Sequence, residues 1–92
     1  PAVQRDLSFV ADKNVTYGDI EKLLNALSIP QLRTYRLFDV FKSEKLGKDK
    51  QSLAMNFTFL DDNKTMKDEE IDKFMAKITS NIEKTLLAEI RK

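Results

Sequence analysis

The pattern of apolar residues predicts an α+β fold, a ferredoxin-like βαββαβ sandwich in which an antiparallel sheet carries two helices on one face. Three observations predict it. Strand-like alternation and helix-like spacing follow one another in two halves of similar order. Both helical stripes and one face of the clearest strand are apolar, enough to share one core. The chain has 92 residues, which is room for a single small domain and no second lobe.

The elements follow in order. Leu7 and Phe9 alternate with Asp6 and Ser8, the pattern of a half-buried strand. Asp12-Lys13-Asn14 supplies turn chemistry. Thr16 is a good helix N-cap, and Asp19 three residues on resembles the second half of a capping box. Ile20, Leu23, Leu24 and Leu27 then form one apolar stripe. Ser28-Ile29-Pro30 ends that helix, because the residue before proline is pushed out of helical geometry. From Thr34 to Lys42 the period returns to two, with Phe38 and Val40 on one face and Leu37, Asp39 and Phe41 on the other. In the run Ser52 to Leu60, Leu53, Met55, Phe57 and Phe59 face one way, and Ser52, Ala54, Asn56 and Thr58 the other.

Asp61 to Lys64 is a turn. A second helix is expected from about Asp68, with Met66 and Ile71 stapled around a cap at Lys67 and Asp68-Glu69-Glu70 at the positive end of the helix dipole. Its buried stripe is Ile71, Phe74, Met75, Ile78 and Ile82. Leu87 to Ile90 suits a short last strand. Two right-handed halves bring both helices to one side and leave the other sheet face open.

Composition limits the chemistry. There is no Cys and no His. Thiolate or imidazole metal sites, Cys nucleophiles and His acid–base catalysis are therefore excluded within this chain. The only glycines are Gly18 and Gly47, so no glycine-rich phosphate loop exists. Neither a Ser-centred nucleophile motif nor the aromatic signature of an RRM is present. The carboxylates around residues 61–70 lack the ligand spacing of an EF-hand and read as turn and helix-dipole groups. These absences leave a small metabolic enzyme the least favoured class. A net charge of +1 argues against a partner gripped by bulk charge, such as duplex DNA or an anionic membrane. No long apolar run suggests a membrane-spanning segment.

In this register the open face carries Asp6, Ser8 and Val10, then Leu37, Asp39 and Phe41, then Ser52, Ala54 and Asn56. An aromatic ring among small and polar groups suits stacking of a nucleobase, with hydroxyl, amide and carboxylate groups meeting its edge. The loop from Lys42 to Lys50 adds four lysines against Glu44 and Asp49, a modest excess for a phosphate backbone. The competing reading is a regulatory or docking module whose open face is covered by protein or a small ligand.

Four segments in order carry a resemblance: Pro1-Ala2-Val3-Gln4-Arg5-Asp6-Leu7-Ser8, Leu37-Phe38-Asp39-Val40-Phe41, Lys50-Gln51-Ser52-Leu53-Ala54 and Asp68-Glu69-Glu70-Ile71. Together they resemble the ferredoxin-fold anticodon-binding domain found at the C-terminus of the phenylalanyl-tRNA synthetase beta chain. The resemblance covers nearly the whole chain. It implies that residues 1–92 are a C-terminal piece of a longer protein, which fits the start at Pro1 without Met.

The resemblance further implies binding of the anticodon stem and loop of phenylalanine tRNA on the open face. Phe41 aligns with a ring, usually Tyr, that stacks on the first anticodon base. Ser8, Asp39 and Ser52 align with its neighbours, Asp39 as an acceptor from the base edge. Arg5, Lys42 and Lys50 are candidate backbone contacts. The implied parent is a cytoplasmic ATP- and magnesium-dependent ligase. Its catalytic residues would lie on an alpha subunit, making this domain non-catalytic.

Some positions depart from the family's pattern. Phe41 keeps the stacking face without the phenolic hydroxyl. Gln4 stands where many members are basic. Lys67 replaces a Thr or Ser cap, at an expected cost of about 1 kcal/mol. Asp49 stands where Gly is frequent, so a left-handed turn residue is expected there.

Overall fold

A computed structural model describes residues 1–91. Its elements are β1 (Val3–Asp12), α1 (Tyr17–Leu27), β2 (Leu32–Phe41), a short 3-10 helix (Glu44–Leu46), β3 (Lys50–Phe59), α2 (Asp68–Leu86) and β4 (Glu89–Ile90). The order is βαββαβ, and the sheet runs β2-β3-β1-β4 with every pairing antiparallel. This is the ferredoxin-like α+β fold expected from the sequence.

The central strand β3 organises the core. Leu53, Met55, Phe57 and Phe59 are at most 3% exposed. In register they face Phe9, Leu7, Arg5 and Val3 of β1. On the other side they face Val40, Leu37, Tyr35 and Leu32 of β2. The helices close this layer with Ile20, Leu23 and Leu24 from α1 and Ile71, Ile78 and Ile82 from α2, all buried. Phe74 stacks on Phe59 with ring centroids 5.8 Å apart, an offset aromatic pair that adds to simple burial.

The caps match the sequence reading in kind. Thr16 Oγ1 accepts from the Asp19 N–H at 3.1 Å, and the Asp19 carboxylate accepts from the Thr16 N–H at 2.9 Å. Both halves of a capping box are thus made. At α2 only one half exists, because an ammonium has no acceptor. The Glu70 carboxylate accepts from the Lys67 N–H at 3.3 Å and from Lys64 Nζ at 2.9 Å. Met66 and Ile71 are both buried in the core, as a staple requires.

Several details differ from expectation. Helix α1 ends on Ser28 in the left-handed region (φ 52°, ψ 53°), before the proline acts. The 42–50 loop takes its positive φ at Gly47 (116°), and Asp49 is not among the positive-φ residues. A bulge also lies between Leu37 and Asp39 in β2. Two residues there oppose Ala54 where one is expected, so strict alternation fails. Leu37 therefore pairs with Met55 on the core face. Its assignment to the open face is overturned, and so is the placement of Phe38 on the face opposite Asp39.

Two predictions follow from the helix ends. Leu87 holds a left-handed conformation (φ 54°) while its side chain is 83% exposed. A Cβ in that region costs about 1–2 kcal/mol, partly offset by the backbone freedom glycine adds to the unfolded chain. Leu87→Gly should therefore stabilise the domain by about 0.5–1 kcal/mol, read as a higher urea midpoint.

The Asp19 carboxyl lies below its ordinary value of 3.8, chiefly through the Thr16 backbone hydrogen bond. Hydrogen bonding from Lys64 lowers Glu70 likewise from 4.5. The unfolded chain then binds more protons in this range, so stability rises with pH. Each contribution is present above those ordinary values and is lost as pH falls through the lowered folded values. Thermal melts at falling pH should show Asp19→Asn destabilising near neutrality and converging on the parent in acid.

Candidate nucleic-acid interface

The sheet face away from the helices is built by the outward residues of three strands. Pairing of Asp6 with Asn56, Ser8 with Ala54 and Val10 with Ser52 carries the face from β1 to β3. Pairing of Arg36 with Asn56, Asp39 with Ala54 and Phe41 with Ser52 carries it on to β2. Ser8, Asp39, Phe41 and Ser52 are thus brought onto one surface, around the Ala54 and Ser52 positions of the central strand.

Phe41 is 51% exposed. It lies opposite Ser52 on the edge strand. Its ring is not sealed beneath the helices, so one aromatic face remains available to solvent. Asp39 is exposed two positions away, and no donor among the described residues is bonded to its carboxylate. It keeps its acceptor lone pairs for an outside group. Small Ala54 beside it leaves space above the sheet.

The two serines are less open. Ser52 is 6% exposed, and its hydroxyl accepts from Arg91 Nη1 at 3.0 Å. The Arg91 N–H also bonds to the Ser8 carbonyl at 2.9 Å. Arg91 therefore lies across both serines. Ser52 positions a cation at this face and presents little surface of its own. Sequence reasoning missed Arg91, which follows the two-residue strand β4. No local pattern signals a partner 39 positions away.

The other polar residues divide. Asn56 Nδ2 donates to Asp6 Oδ1 at 2.7 Å and to Gln4 Oε1 at 3.3 Å, so these three satisfy one another across β1 and β3. Arg5 does not join the face. It pairs in register with core-facing Phe57, and its guanidinium reaches Asp68 at the start of α2 at 3.4 Å.

Lys42 and Lys50 are brought together. With Lys13, Lys48, Ser43, Glu44 and Gly47 they line an open cleft of about 710 Å³ at the Phe41 end of β2. Lys13 is bound to Asp49 at 3.2 Å, leaving the other three lysines opposed mainly by Glu44. Gln51 holds the neighbouring turn by donating from Nε2 to the carbonyls of Asp12 and Val15 at 3.3 and 3.2 Å. The resulting layout is an aromatic face with a carboxylate acceptor, flanked by Arg91 and a lysine-lined cleft. Stacking, an edge hydrogen bond and phosphate attraction are the three interactions it can make. Among the described residues no three Asp, Glu, His or Cys converge as a metal site. Nor, among the described residues, is any helix long and apolar enough to cross a membrane.

The model of the ferredoxin-fold anticodon binding domain matches residues 1–91. The phenylalanine–tRNA ligase beta subunit of Bacteroides thetaiotaomicron is 38% identical over 91 residues, 99% of this chain and 11% of that protein. The beta subunit of Streptococcus mutans is 40% identical over the same shares, and that of Carboxydothermus hydrogenoformans 33%. The chain thus spans about a tenth of the length of these relatives. On the match across residues 1–91 and these identities, it belongs to the ferredoxin-fold anticodon-binding domain family.

Proposed function

We propose that this domain binds the anticodon arm of phenylalanine tRNA on its open sheet face, as part of a phenylalanine–tRNA ligase beta subunit. The observation that carries this reading is the half-exposed ring of Phe41 beside unpartnered Asp39. An unstacked loop base lies on the ring, and its edge donates to the Asp39 carboxylate. Base–aromatic stacking supplies roughly 1–3 kcal/mol. Arg91, and Lys42 and Lys50 in the neighbouring cleft, attract the phosphates that lead into the loop.

The contribution is positional. Holding the anticodon arm fixes the remote acceptor end relative to an active site on other parts of the enzyme, including the alpha subunit. ATP and magnesium belong to the parent ligase's reaction in this proposal, and no step assigned to this domain passes through them. Its setting is cytoplasmic, where aminoacylation supplies translation.

The test is tRNA binding by the full ligase carrying substitutions at Phe41. Phe41→Ala should weaken binding about tenfold, within the range expected for one stacked base, while Phe41→Tyr keeps the affinity or improves it. Equal affinity for all three, with thermal stability unchanged, would remove the stacking role. Lys42→Gln and Lys50→Gln should weaken binding irrespective of loop sequence, and each should reduce the salt dependence by about one ion.

A further inference from the structure

The β2 bulge makes a feature that the alignment with Phe41, Asp39 and the serines does not use. Phe38 is the extra residue, without a register partner on β3. Its side chain is 46% exposed, nearly as open as Phe41. The Arg36 guanidinium carbon lies 5.5 Å from the centre of its ring. Arg36 pairs with Asn56, which joins Asp6 and Gln4 on the open face. The ring of Phe38 is therefore drawn to the margin of that face and not toward the helices.

Arg36 also differs from other arginines of the chain. Arg5 is bound to Asp68, Arg33 to Asp62 at 2.7 Å, and Arg91 to Ser52. Among the described residues the Arg36 guanidinium has no carboxylate or hydrogen-bond partner, and it lies over the Phe38 ring. A guanidinium beside an aromatic face holds the ring by cation–π attraction and keeps its N–H donors in the ring's vicinity. β2 is an edge strand, so nothing in the sheet blocks approach from its outer side.

We propose that Phe38, held by Arg36, is a second base-stacking position, taking the unpaired RNA nucleotide adjacent to the one on Phe41. The Arg36 guanidinium donates to that nucleotide's phosphate. This rests on the anticodon-arm reading and extends it. The occupant is RNA because the exposed groups are a ring, a free cation and the continuous Phe41–Asp39 surface. A base offers a π face, and its phosphate offers the opposite charge. Three residues of extended strand separate Phe38 from Phe41, about 10 Å. Bases stacked on each other lie about 3.4 Å apart. The two positions therefore accept splayed bases, a geometry open to a single-stranded loop and closed to a duplex.

The test uses the full ligase and an anticodon stem-loop RNA, intact or made abasic in turn at each nucleotide flanking the one on Phe41. Phe38→Ala should weaken binding of intact RNA by about tenfold, within the range for one stacked base, and Phe38→Trp should restore it. One abasic RNA should bind the unaltered protein with a similar loss, and Phe38→Ala should add nothing to that loss. Arg36→Gln should lower the salt dependence by about one ion.

If Phe38→Ala leaves RNA affinity unchanged while Phe41→Ala weakens it, the second position is wrong and the anticodon reading stands. If neither matters, both fall. Losses that add for every abasic RNA contradict direct stacking. A Phe38→Ala effect on subunit association alone, with RNA affinity intact, would make this edge a protein surface and overturn the proposal. Should Phe38→Ala fail to fold, Phe38→Leu with the same RNAs decides the matter.

Discussion

Burial of one face of β3 is the constraint on which the rest of the molecule depends. A strand has a side-chain period of two, so a slip of one residue would send Leu53, Met55, Phe57 and Phe59 to solvent and Ser52, Ala54 and Asn56 into the core. Four large apolar side chains, each at most 3% exposed, make that slip prohibitive. Both neighbouring strands pair with β3 along most of their length, and so inherit its orientation. The open face is thus a consequence of the core. Asp39 and Phe41 look outward because Val40, between them, pairs with buried Leu53.

Register shifts in β2 modify this inheritance, one between Leu32 and Thr34 and one, at the candidate site, between Leu37 and Asp39. Upstream of the latter, Tyr35 and Leu37 turn to the core; downstream, Asp39 and Phe41 turn outward. Without the extra residue the two halves of β2 could not both meet their partners on β3. Bulges bend and twist the strand that carries them. Here the effect is to set Phe38, Asp39 and Phe41 along an exposed edge while the strand's first half still contributes to the core. Fold and candidate site therefore share one irregularity.

Much of this was legible in the sequence. The stripes of α1 and α2 follow helical spacing closely, and β3 alternates without a break, so tertiary packing had no local preference to override. The Thr16–Asp19 cap reads directly because its groups lie three residues apart. The bulge did not read, because strict alternation across Thr34 to Lys42 looks continuous whether or not a residue is unpaired. That concealment cost the placement of Leu37 and set Phe38 on the same side as Val40. Alternation along β3 puts Ser52 on the outward face, but the arginine that covers it arrives from the far end of the chain. Arg5 sits on the helix side by simple parity with Leu7 and Phe9, and its pairing with Asp68 spans 63 positions.

The central claim is that RNA meets the outward face of β2 and β3. Ultraviolet cross-linking of phenylalanine tRNA to the full ligase, followed by peptide mapping, tests it most directly. Adducts are expected within residues 36–42 on the edge strand, carried by anticodon-loop nucleotides. Adducts from this domain confined to α1 and α2, with none on β2, would contradict it.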